Sequence, residues 1–120
     1  MGETSEVIEV VKWFRDEYPE YTAALRPSMN GISKRGRAGA ILWNSMKAQG
    51  ADAGDLDFAL MLPKGGYGGL LIEHKKADGT HKVTDEQQEQ IDFHNAIGNC
   101  AVSTRGVEAF KAAIVAYLEG

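Results

Sequence analysis

The chain has 120 residues, a net charge of −4, 43% hydrophobic residues and 25% charged ones. That size suits a single domain, residues 1–120, around one core, and no apolar run approaches the roughly 20 residues that cross a bilayer. The N-terminus has no basic stretch ahead of an apolar one, so no secretory signal is expected. The lone cysteine, Cys100, makes neither an internal disulfide nor a thiolate metal cluster, a pattern of intracellular, cytoplasmic proteins.

Residues 5–18 place Ile8, Val11 and Phe14 or Arg15 at helical spacing, with Thr4 or Ser5 as N-cap and Pro19 as the stop. Residues 23–29 read as a short strand interrupted by Pro27, and Asn30-Gly31 carries turn chemistry. Residues 37–49 predict a helix with Ala38, Ile41, Leu42 and Met46 on one face and Gly50 as its end. Trp13 and Trp43 fall at helical core spacing. Between Tyr21 and Gly50 the chain holds Arg26, Lys34, Arg35, Arg37 and Lys47 and no acid. Such segregation gives an acidic protein a positive face for a polyanion.

Two apolar runs, DLDFALML and LLIEHKK, flank PKGGYGG and predict a β-hairpin. The glycine-rich link lacks the Gly-Lys-Ser/Thr ending of a phosphate loop and opens no helix, so it is read as the turn. Thr84 and Gln87 form a capping-box pattern for a helix running to about Ile97, closed by Gly98-Asn99. CAVST is a short buried strand, and residues 107–118 predict a last helix on Val107, Phe110, Ile114 and Leu118. This order implies an α/β fold: a mixed β-sheet with helices on both faces.

Chemistry concentrates at the hairpin. Side chains alternate along a strand, so Glu73 and Lys75 share one face while His74 points to the other, as a packed or helix-contacting residue. A hairpin register that centres the turn on Gly65 sets Asp57 opposite Glu73, with Lys75 one step along. Two adjacent carboxylates repel unless neutralised, and a hard cation such as Mg²⁺ does this while keeping waters for a phosphate. The plainer reading is a Glu73–Lys75 salt bridge at a strand end, with Asp57 a loop acid. His81 and His94 have no metal-ligand spacing and read as surface or packing residues. Tyr67 sits at the turn tip.

The stretch GDLDFALMLPKGGYGGLLIEHKKADGTHKVTDEQQEQI resembles the central motif of the VRR-NUC (virus-type replication-repair nuclease) domain of the PD-(D/E)XK nuclease superfamily. Asp57, Glu73, Lys75 and Gln87 match its acid, its Glu-x-Lys and its helix-opening glutamine. The upstream segment MNGISKRGRAGAILWNSMKAQGA is similar to the family's Asn-Gly loop and helix, and AVSTRGVEAFKAAIVAYL to its closing strand and helix. Two positions depart from the pattern. Leu56 stands where the family has proline, which keeps Asp55 in contention with Asp57. His74 stands where an apolar residue is usual.

The resemblance implies a restriction-endonuclease-like (PD-(D/E)XK) core and a Mg²⁺- or Mn²⁺-dependent endodeoxyribonuclease. Asp57, Glu73 and the His74 backbone carbonyl would hold the metal. Glu6, with Glu9 one turn on, is a further candidate. Lys75 would assist the attacking water, and Gln87 would steady Lys75 or the phosphate. Lys34, Arg35, Arg37 and Lys76 are the candidate contacts to the DNA backbone. Stand-alone phage-type members of this size imply a Holliday-junction resolvase-like homodimer acting on branched, four-way DNA inside the host cell, with no membrane role. Two other classes stay open: a non-catalytic nucleic-acid-binding module on the same fold, and an enzyme acting on a nucleotide or other phosphate ester.

Overall fold

The computed structural model describes residues 2–28 and 36–120. Helix α1 (Glu3–Glu17) leads through a 3₁₀ turn (Pro19–Ala24) into a short strand, β1 (Leu25–Pro27). Helix α2 (Gly36–Ala48) precedes the hairpin of β2 (Phe58–Leu60) and β3 (Leu70–Lys75). Helix α3 (Asp85–Ala96), strand β4 (Cys100–Arg105) and helix α4 (Gly106–Glu119) complete the chain. The sheet runs β1-β2-β3-β4; its first two pairings are antiparallel and β3–β4 is parallel. Parallel neighbours need a crossover, and α3 supplies it. Pro27 lies opposite Phe58 on the edge strand, where a missing N–H costs no ladder bond on the outer side.

The hairpin has the expected register. Phe58 faces Ile72 and Leu60 faces Leu70, so one step further sets Asp57 opposite Glu73. Its tip is a two-residue turn: Lys64 and Tyr67 exchange backbone hydrogen bonds of 3.1 and 2.9 Å around Gly65 and Gly66. Both glycines have positive φ, +57° and +89°, which matches the twist of the flanking strands and which larger residues resist.

Helices cover both faces. Val10 and Phe14 of α1 and Phe110 and Ile114 of α4 pack with Leu60, Leu70 and Ile72 on one side. On the other, Ile91 of α3 packs with Leu56 and Ala101, against half-buried Leu71. Alternation along β3 therefore directs His74 toward α1 and α4, and Glu73 and Lys75 toward the α3 side.

Four local expectations need correction. Helix α1 starts at Glu3 behind Gly2 with no side-chain cap bond, so Thr4 and Ser5 lie within its first turn. Its buried stripe is Glu6, Val10 and Phe14, while Ile8 is 62% exposed. The stripe steps by four residues and includes a carboxylate, which a search for apolar periodicity passes over. On α2 only Met46 is buried, and Ile41 and Leu42 are exposed, because among the described residues no element covers that face. Trp13 and Trp43 are half-buried at the rim, each with a lysine ammonium near its ring: Lys111 at 5.7 Å and Lys47 at 6.0 Å.

Candidate active site

The C-terminal half of β3 buries three polar residues in succession: Glu73 is 1% exposed, His74 0% and Lys75 9%. Such a run is rare inside a sheet, since each group must find a partner or raise the free energy of the fold. Asp57, half-buried at the residue before β2, accepts the His74 backbone N–H at Oδ2 over 2.9 Å. Lys75 Nζ meets Glu73 Oε2 at 3.1 Å. Glu73 Oε1 is buried and has no hydrogen-bond partner among the described residues.

The electrostatics follow from that arrangement. Burial pushes the Glu73 carboxyl up to about 8, the negative charge of Asp57 adds to the push, and the Lys75 hydrogen bond only partly offsets it. A proton or a cation must settle between Glu73 and Asp57. The donor set fits a hard divalent ion: two carboxylates converge, and one oxygen lacks any bond. Among the described residues no third His, Cys, Asp or Glu side chain completes a closed metal cluster. This suits an ion that keeps waters, such as Mg²⁺, better than a fully protein-ligated structural metal.

The other candidates divide. Asp55 holds the turn before the site, its Oδ2 accepting the Asp52 N–H at 2.9 Å, so Asp57 and not Asp55 stands beside Glu73. Gln87 is buried in the first turn of α3, where its Oε1 accepts the Thr84 N–H at 2.9 Å and its own N–H bonds Thr84 Oγ1. The expected capping box is formed, and it commits the glutamine oxygen to the helix start. Glu6 lies across the strand: its Oε1 is 3.0 Å from His74 Nε2, and its Oε2 accepts the Ala77 N–H at 3.1 Å. Glu9 instead lies 3.7 Å from Lys111 of α4. Lys76 pairs with Asp78 at 3.1 Å, and Arg37 is exposed on α2. Lys34 and Arg35 fall outside the described residues.

A solved structure of a VRR_NUC domain protein is similar to this chain, with a TM-score of 0.82. The match covers 99% of this chain and 89% of that one at 24% identity. The fold is that of a VRR_NUC domain. No family model and no curated protein matches the chain. Within this VRR_NUC fold, the hairpin and the crossover helix bring Asp57, Glu73, Lys75 and the start of α3 to one side of the sheet. Among the described residues, no helix is long and apolar enough to cross a membrane.

Two features of this chain escaped the sequence. His74 is the hub of a buried chain, with Nδ1 3.1 Å from Thr104 Oγ1 and its ring centre 4.9 Å from that of Phe110. Strand parity placed it on the helix side, but its partners lie 68 and 30 residues away in sequence. Arg105 reaches back to brace the loop after Lys75, donating to the carbonyls of Lys76, at 2.9 Å, and His81. No local signal marks that arginine.

Proposed function

We propose that the protein is a metal-dependent endonuclease that hydrolyses DNA phosphodiester bonds. The observation that carries this reading is Glu73 Oε1, without a hydrogen-bond partner among the described residues and buried beside Asp57, with Lys75 on the same strand face. A buried carboxylate pair left incompletely satisfied is the arrangement that a bound cation relieves.

Asp57, Glu73 and the His74 carbonyl are the residues that would hold Mg²⁺ or Mn²⁺. When bound, such a cation lowers the pKa of water and offsets charge on a phosphoryl oxygen. The chain's own groups do the rest. Lys75, 9% exposed and anchored on Glu73, is placed to orient water or a non-bridging phosphate oxygen. Gln87, fixed at the first turn of α3, borders the same side and steadies the substrate backbone there. Arg37 and Lys76, with Lys34 and Arg35, supply positive charge for the flanking phosphates.

Preference for branched, four-way DNA and a two-fold homodimer rest on the VRR_NUC likeness and on chain size. One such chain has one site, and paired cuts need two. Purified protein incubated with a labelled four-way junction in Mg²⁺ or EDTA, beside Glu73→Ala, tests the reading. Cleavage is expected only for wild type with metal. Cleavage that survives both chelation and the substitution overturns it, and binding without cutting in either metal points to a non-catalytic nucleic-acid module.

A further inference from the structure

The residue that the proposed reaction leaves unused is Glu6. It is 3% exposed on the first turn of α1, on the far side of β3 from Glu73. Burial alone would raise its carboxyl, yet the Ala77 amide and the His74 ring hold it below the usual carboxylate range. A carboxylate only accepts, so the proton between Glu6 and His74 sits on Nε2, while Nδ1 lies 3.1 Å from Thr104 Oγ1 on the other side of the ring. Glu6 thus grips the end of β3 at two places: the ring of His74 and the backbone of Ala77.

His74 passes that grip to the other face. Its N–H holds Asp57 in place at 2.9 Å, and its peptide units join it to Glu73 and Lys75. Every group assigned to the hairpin part of the site is therefore one bond or one hydrogen bond from His74. We infer that Glu6 is a positioning residue and not a metal ligand: acting through His74, it fixes the backbone that sets Asp57, Glu73 and Lys75 relative to one another. The inference rests on the nuclease reading for its purpose, but its geometry is a property of the metal-free chain.

Comparing two conservative substitutions separates the possibilities. Glu6→Gln can keep both contacts: its carbonyl accepts from Ala77, its amide donates to Nε2, and His74 shifts its proton to Nδ1 toward Thr104. Glu6→Asp keeps the charge but is one methylene too short to reach both partners. The measurements are Mn²⁺ affinity by calorimetry and hydrogen exchange of the His74 and Ala77 amides in metal-free protein, with the Leu71 and Ile72 amides as reference. Substituting a partner one step from a metal ligand costs about 10- to 100-fold in affinity, so Glu6→Asp is expected to weaken Mn²⁺ binding about 10-fold. It also speeds exchange at His74 and Ala77 but not at Leu71 and Ile72, while Glu6→Gln stays within a few-fold of wild type in both.

The reverse order, with Gln losing affinity as strongly as Asp57→Asn and Asp retaining it, makes Glu6 a ligand and overturns the inference. Affinity unchanged in both variants reduces Glu6 to a packing role and overturns it equally. A wild-type protein that neither binds Mn²⁺ nor cuts DNA sinks the nuclease reading instead, and the exchange data still report whether Glu6 holds the end of β3.

Discussion

Two buried glutamates stand on opposite faces of one strand end, and they are opposites in chemistry. Glu6 has a partner on each oxygen and a carboxyl held below its usual range. Glu73 has a partner on one oxygen, none among the described residues on the other, a second carboxylate beside it and a carboxyl pushed up to about 8. Both side chains are almost inaccessible to solvent. Burial therefore does not separate an anchoring acid from a reacting one; satisfaction does. The fold completes the bonds of Glu6 and leaves Glu73 waiting for a proton or a cation.

The largest effect that would break this contrast is on catalysis. Lys75→Met removes the ammonium beside Glu73 and should lower cleavage about 10²- to 10⁴-fold, the range for loss of a positioned proton-transfer group. Mn²⁺ affinity should change far less, because both carboxylates stay. Single-turnover cleavage alongside calorimetry reads the two separately. A Lys75→Met protein that cuts at the wild-type rate removes lysine from the mechanism.

Stability should move in opposite directions on the two faces. Glu6→Ala strands His74 Nε2 and the Ala77 N–H, and breaking a buried pair costs about 3 kcal/mol. Glu73→Gln replaces a charge with no full complement by a neutral amide, and at pH 8.5 the metal-free protein should gain about 1 kcal/mol. Urea unfolding gives both values. If Glu73→Gln destabilises as Glu6→Ala does, Glu73 is an ordinary structural acid.

The pH dependence sharpens the same comparison. The folded Glu73 carboxyl, at about 8, lies above its ordinary value of 4.5, so the folded chain binds a proton that the unfolded chain has lost. Stability from Glu73 is complete below 4.5 and is lost as pH rises toward 8, with a slope of at most about 1.4 kcal/mol per pH unit. Glu6 shifts the other way: its contribution is present above the usual carboxylate range and is lost as acid protonates it. Denaturant midpoints for metal-free wild type should therefore fall across that window, as pH rises from 4.5 to about 8, and Glu73→Gln should flatten the fall. Saturating Mn²⁺ should flatten it too, by occupying the place of the proton.

How much of this could be read in advance follows from the range of each signal. The Asp57–Glu73 pairing was legible because strand alternation and a Gly-Gly turn leave little freedom of register. The Thr84–Gln87 cap was legible because its partners are three residues apart. The buried face of α1 was not, because Glu6 belongs on it only through His74 on a strand far along the chain. Apolar spacing chose Ile8, which points to solvent. The face of α2 misled in the same way, since periodicity shows that a helix has an apolar side but not that another element covers it. Arg105 was invisible for the simplest reason: its acceptors are backbone carbonyls, which every residue carries.

The smallest effect comes from the opposite end of the sheet and acts as a control on the rest. The Tyr117 hydroxyl of α4 donates to the Leu62 carbonyl at 2.6 Å, tying the last helix to the chain just after β2. Tyr117→Phe keeps the ring that packs in the core and leaves that carbonyl without its donor, a loss of about 1 kcal/mol. This contact sits near the Leu70 end of β3, while Glu73 and Lys75 close its other end, so neither Asp57 nor His74 loses a bond. Stability should fall while Mn²⁺ affinity, the cleavage rate and the pH slope set by Glu73 remain at wild-type values. If Tyr117→Phe changes cleavage as Glu6→Ala does, then general loosening of the sheet accounts for both, and the special link from Glu6 through His74 to the site is lost.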